Sequence, residues 1–125
     1  MGSRGGRILA RGTHPLRGEV YWVNLDPTIG SEIRNTRPAL IISNDVGNEY
    51  SDRVIVAALT SQGTRRVYPF EVLVRAGEGN LDQTSKVLLD QIRTVDKRRL
   101  GNRIGALSDE RMSEVARAIR LSLTV

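Results

Sequence analysis

From Gly18 onward, short apolar runs alternate with polar, glycine-bearing turns, the pattern of closely spaced strands. Glu19 to Leu25 is β-branched and aromatic and stops at Asp26-Pro27. Pro38 to Ser43 and Val54 to Thr60 are near-continuous apolar runs, as expected of strands buried on both faces. Between them, Asn44 to Asp52 reads as a loop or one helical turn. Tyr68 to Val74 reads as a strand with Pro69 near its start. Ala76 to Thr84 is a turn-rich excursion, Lys86 to Val95 a long strand, Asp96 to Leu100 a turn and Ile104 to Leu107 a short closing strand. Tyr50, Tyr68 and Trp22 are candidate stacking rings, with core packing the favoured expectation for Trp22.

The C-terminal segment changes period. Ser108 is a good N-cap, Asp109 and Glu110 follow where the helix dipole favours anions, and Met112, Val115, Ala116, Ile119 and Leu123 form one apolar stripe. That stripe is expected to pack on the sheet. The expected fold is a small, mostly antiparallel, strongly bent sheet or partial barrel with one C-terminal helix.

Composition narrows the setting. A chain of 125 residues builds one domain. No apolar run approaches the ~20 residues of a membrane helix, and no signal-peptide pattern opens the chain. The absence of cysteine fits a reducing compartment, so a cytoplasmic protein is expected. The net charge of +5 suggests nucleic acid until its distribution is read. Arg4, Arg7, Arg11 and Arg17 precede Gly18 with no acid among them, and the remaining 15 basic groups nearly balance 14 acids. Residues 1–16 therefore read as a disordered basic extension, and 17–125 as the domain. The single histidine, His14, falls in the extension and is set aside for catalysis. Of the 19 basic residues 17 are arginine, the side chain that grips phosphate with two parallel bonds.

Elimination leaves one chemistry standing. The acids are scattered, without metal-ligand spacing. No base accompanies a Ser or Thr as a nucleophilic triad requires. Gly77-Glu78-Gly79 lacks the Lys-Ser/Thr of a phosphate-binding loop. RNA transesterification remains, because the substrate's own 2′-hydroxyl is the nucleophile and the protein need only stabilise charge and assist proton movement. Glu32, Arg34, Arg37 and Thr60 are the right residue types. Solvated loop charges and a strand-end threonine account for the same residues equally simply, so chemistry alone does not decide.

The ordered set Arg17-Gly18-Glu19-Val20-Tyr21-Trp22-Val23-Asn24-Leu25-Asp26-Pro27, Gly30-Ser31-Glu32, Arg37-Pro38-Ala39-Leu40-Ile41-Ile42-Ser43-Asn44-Asp45, Ala58-Leu59-Thr60-Ser61 and Asp90-Gln91-Ile92-Arg93-Thr94-Val95-Asp96 resembles the MazF/PemK-like toxins from about Arg17 to the final helix. The resemblance implies an SH3-like partial barrel of the PemK/CcdB type, mostly β with a C-terminal α-helix, working as a homodimer. It implies the toxin of a type II toxin–antitoxin system, a metal-independent, sequence-specific endoribonuclease (mRNA interferase). Such an enzyme cleaves single-stranded mRNA to a 2′,3′-cyclic phosphate and a 5′-hydroxyl, needs no cofactor, and is neutralised by a MazE-like antitoxin whose disordered tail covers the RNA site. Carried over residue by residue, Arg37 and Thr60 are catalytic, Glu32 supports catalysis or proton transfer, Gln91 contacts RNA, and Ser31, Ser61 and Arg93 are weaker RNA-binding candidates. Arg34 has no assigned role. A CcdB-like gyrase poison and a noncatalytic SH3-like binding module share the fold. The former acts through an aromatic-bearing C-terminus, whereas this chain ends Leu121-Ser122-Leu123-Thr124-Val125.

Overall fold

The computed structural model describes residues 14–27, 29–32 and 35–125. Most of the N-terminal extension, together with Arg34, lies outside the described residues. The strands are β1 (Glu19–Asn24), β2 (Thr36–Ile41), β3 (Arg53–Thr60), β4 (Glu71–Val74), β5 (Ser85–Asp96) and β6 (Leu100–Ala106); the helices are α1 (Asp45–Tyr50) and α2 (Asp109–Leu123). They form one six-stranded sheet in the order β4-β5-β3-β2-β1-β6, every neighbouring pair antiparallel.

Alternation along the strands divides the apolar side chains between two cores. The first gathers Val20, Leu40, Ala57, Leu59, Val87 and Leu89 beneath α2, which contributes Val115 and Ala118. Full burial of Val115 contributes about 1.5–3 kcal/mol. The second lies on the other side of the sheet and holds Val23, Leu25, Ala39, Ile41, Val54, Val56, Ala58 and Val95. Two cores on one sheet require it to curl back on itself, the partial barrel expected above.

The curl is made largely by β5. It pairs Ile92 with Ala57 but Val87 with Leu59, so Leu88 to Gln91 stand against the single residue Ala58. Leu88 pairs instead with Glu71 of β4, and Leu89 N–H donates to the Phe70 carbonyl at 3.2 Å. β5 thus turns a corner at Asp90-Gln91.

Four expectations need correction. β4 starts at Glu71, because Tyr68 and Glu71 close a turn through Glu71 N–H to the Tyr68 carbonyl at 2.8 Å. β6 starts at Leu100, since backbone pairing to β1 at the sheet edge needs no apolar alternation. On α2 the fully packed positions are Val115 and Ala118, while Leu123 stands in solvent past the end of the sheet. Trp22 is 43% exposed rather than in the core.

The Ser43-Asn44-Asp45 motif is accounted for structurally. Asn44 caps α1, accepting from Gly47 N–H at 2.7 Å, and the buried Asn48 amide donates to the Ser43 carbonyl at 3.0 Å. A buried ion pair sits beneath the loop after β3. Lys86 Nζ lies 2.9 Å from Glu71 Oε1, both side chains 10% exposed or less, and also donates to the Arg66 carbonyl at 3.0 Å. Breaking a buried pair leaves a charge without its counter-charge. Glu71→Gln keeps an acceptor but removes that counter-charge, and is expected to lower unfolding free energy by about 1.5–3 kcal/mol. The denaturant midpoint checks this; an unchanged midpoint would mean that water already screens the pair.

Candidate functional site

Arg37 and Pro38 lie near the start of β2, where the register sets Val23 opposite Arg37 and Trp22 opposite Pro38. The β2–β3 ladder pairs Ala39 with Ala58, and continuing that register by two residues sets Arg37 against Thr60. Both then share the face of Ala39 and Ala58, the second core's side. Arg93 and Val95 alternate onto the same side of β5, with Val95 in that core, while Gln91 lies in the corner where the alternation breaks. Arg37, Thr60 and Arg93, from three separate motifs, therefore share one face, and Gln91 stands at the corner beside Ala58.

Arg37 is half-buried, its backbone fixed by strand pairing to Val23. Thr60 is buried, and its Oγ1 accepts from Gln62 N–H at 3.1 Å. That bond uses an acceptor position and leaves the hydroxyl proton to be donated. A guanidinium and a hydroxyl on adjacent strand ends are donor types suited to a tetrahedral oxyanion.

The remaining candidates surround this pair. Ser31 and Glu32 lie on the exposed β1–β2 loop, where one Glu32 oxygen accepts from Ile29 N–H at 2.8 Å and closes a turn within the loop. Arg93 points its guanidinium to the loop's base, donating to the Leu25 carbonyl at 2.5 Å. Ser61 alternates onto the opposite face and borders a cleft of about 220 Å³ with Trp22 and Pro38, which Arg37 also lines. Glu32 and Ser31 are not part of that cleft's lining.

The sequence reading missed three supports. Arg99 donates to the Asn24 carbonyl at 3.1 Å and also to the Asp26 carbonyl, so two arginines hold the end of β1. Asp26 accepts from Asn35 N–H at 2.9 Å, and Leu25 N–H donates to the Asn35 carbonyl at 3.1 Å, pinching the loop shut just before Arg37. Lys86 stands opposite Thr60 on β5 and anchors the 61–68 segment through the Arg66 carbonyl. Only Lys86 left a signal: a lysine heading the run Val87-Leu88-Leu89 needs a buried partner.

Two residues before Asn80, which lines the cleft, Glu78 is held by Arg111 of α2 through two bonds of 3.0 and 2.9 Å. The hydrogen bonding to Arg111 holds the Glu78 carboxyl below its ordinary 4.5. Among the described residues, no group of three His, Cys, Asp or Glu side chains is placed to hold a metal ion. No helix among them is long and apolar enough to cross a membrane.

Comparison with known proteins is consistent along the domain. Residues 16–123 match the family model of PemK-like, MazF-like toxins of type II toxin–antitoxin systems. The chain is 43% identical over 109 residues to endoribonuclease EndoA of Bacillus subtilis (strain 168), covering 87% of this chain and 94% of that protein. Among solved structures, MazF from Deinococcus radiodurans superposes with a TM-score of 0.77 at 28% identity, covering 90% of this chain and 98% of that one. An endoribonuclease from a mycobacterial species, in complex with its cognate antitoxin, superposes with a TM-score of 0.74 at 30% identity, covering 89% and 96%.

Proposed function

The chain belongs to the family of PemK-like, MazF-like toxins of type II toxin–antitoxin systems, and from that premise we propose that it is an endoribonuclease that cuts single-stranded mRNA at a specific sequence. What supports the reading is the β2–β3 register, which, continued by two residues from the Ala39–Ala58 pair, sets Arg37 against Thr60.

The 2′-oxygen of the nucleotide before the cut attacks its own 3′-phosphorus, and the bond from phosphorus to the 5′-oxygen breaks. The products are a 2′,3′-cyclic phosphate and a 5′-hydroxyl. Arg37 neutralises charge growing on the phosphoryl oxygens, and Thr60 donates its hydroxyl proton to one of them. Arg37 acts as the electrophile that hydrogen-bonds the phosphoryl and leaving oxygens rather than as the base, and the leaving 5′-oxygen takes its proton from water. The 2′ proton passes to water or to Glu32, the carboxylate on the adjoining loop. Gln91 contacts the RNA from the β5 corner, with Ser31 and Ser61 on the flanking loops. Arg93 positions the β1–β2 loop through the Leu25 carbonyl.

The protein works as a homodimer in the cytoplasm, where mRNA is found, and is held inactive by a MazE-like antitoxin. Residues 17–125 form the toxin domain, with 1–16 an extension. A gyrase poison is disfavoured by the endoribonuclease relatives.

Purified protein in excess EDTA is expected to cleave an RNA pool at its full rate. The 3′ fragments should accept label from a polynucleotide kinase without prior phosphatase treatment, which marks a 5′-hydroxyl. Loss of cutting on chelation, or fragments that require dephosphorylation first, would overturn the mechanism.

A further inference from the structure

We propose that the cleft between Trp22 and the 80–83 segment is a pocket for one unpaired nucleobase, on a nucleotide next to the one whose phosphate Arg37 holds. The inference rests on the RNA-cleaving function proposed above and adds a subsite to it. Trp22 is the only tryptophan of the chain, yet 43% of it is exposed. Its strand partners explain how an indole can lie open on the sheet. Pro38 stands opposite it on β2, and on β6 a side chain at Gly101 would approach the Trp22 Cβ to 3.3 Å. A flat, partly exposed aromatic ring between small neighbours is the surface on which single-stranded bases stack.

The facing wall has the chemistry of a base edge rather than of a phosphate site. Asp82, Gln83 and Ser61 line it and are exposed, offering acceptors and donors together. A carboxylate there repels phosphate and accepts from the ring and exocyclic N–H groups of bases.

That wall is also held in place before any ligand arrives. Arg111 clamps Glu78, and the Asn80 amide donates to the Ile104 carbonyl at 3.1 Å. Gly79 lies so close to Gly105 that a Cβ on the latter would come within 2.2 Å of the Gly79 carbonyl oxygen. A pocket built in advance selects its ligand without an ordering cost. The cleft lies on the first core's side of the sheet, opposite the face of Thr60, and Arg37, which lines it, stands where an RNA chain would pass round the strand ends from the base to the phosphate.

The test begins by reading the cut sequence from the 5′ ends of cleavage products. An RNA of that sequence with 2′-H at the cut nucleotide is the probe. Adding it to the wild-type protein should change the fluorescence of the single indole. Abasic substitutions are then made at each position in turn. One position should weaken binding to wild type by about 5- to 150-fold, cause no further loss in Trp22→Ala, and regain most of its effect in Trp22→Phe. Additive losses at every position, or unchanged RNA binding by Trp22→Ala, would overturn the pocket while leaving RNA cleavage intact. A Trp22→Ala variant with an altered oligomeric state by sedimentation, or an indole that responds to a MazE-like antitoxin but not to the probe, would make the cleft a protein interface and equally overturn it. A wild-type protein that cuts no RNA would overturn both proposals.

Discussion

An RNA whose cut nucleotide carries hydrogen in place of its 2′-hydroxyl is expected to survive incubation intact while still competing with ordinary RNA for the protein. The expectation follows from what the site lacks as well as from what it holds. The chain has no cysteine, and its one histidine is His14, outside the converging motifs. Thr60 is the hydroxyl nearest the proposed phosphate position, but its oxygen is already accepting from Gln62 N–H. No side chain on the shared face supplies the base a threonine nucleophile requires. The nucleophile must therefore come with the substrate. Gel analysis of matched ribose and 2′-deoxy oligonucleotides gives the answer directly. Cleavage of the deoxy substrate at a comparable rate would mean that water or Thr60 attacks phosphorus, and the cyclic phosphate route would be abandoned.

Arg37→Ala is expected to reduce kcat by about 10²–10³, equivalent to about 2.7–4 kcal/mol of transition-state stabilisation, with little change in melting temperature. Folding should survive because Arg37 is half-buried at the end of β2, where backbone pairing to Val23 and the adjoining apolar residues hold the strand. Arg37→Lys should recover only a small part of the rate, since an ammonium offers a point charge where a guanidinium offers two parallel donors. Thr60→Ala removes one neutral donor and should cost less, with Thr60→Ser close to wild type. Single-turnover rates at saturating protein, measured beside thermal melts, separate chemistry from binding and folding. Wild-type turnover in Arg37→Ala would remove that residue from the site.

Much of this arrangement was legible in the residues. The two central strands announced themselves as continuous apolar runs because both of their faces are covered, and α2 announced itself by its cap and its period. Where the reading failed, the reason lies in edges. β6 carries Gly101, Asn102 and Arg103 in its exposed half, so it shows no alternation and was visible only through its pairing with β1. Trp22 sits on β1, one strand in from the β6 edge, and the cover over the first core does not extend to it. Arg37, Thr60 and Gln91 were recognisable from their neighbouring motifs. That Arg37 and Thr60 share one face was not, because facing is a property of register, and where Gln91 stands depends on a corner of β5 that no local pattern foretells.

That corner has a further consequence. In an unbroken ladder continued from Ala57 and Ile92, Thr60 would lie opposite Leu89. The three extra residues that β5 spends in turning bring Lys86 there instead, along with its grip on the Arg66 carbonyl. The count of residues between Lys86 and Gln91 thus selects which neighbour the hydroxyl receives. Adding one residue in that stretch would set Val87 beside Thr60 in place of the cation, and deleting one would set Ser85 there, without altering any residue of the site. A redesign of this scaffold can vary the loops, but it must conserve that interval.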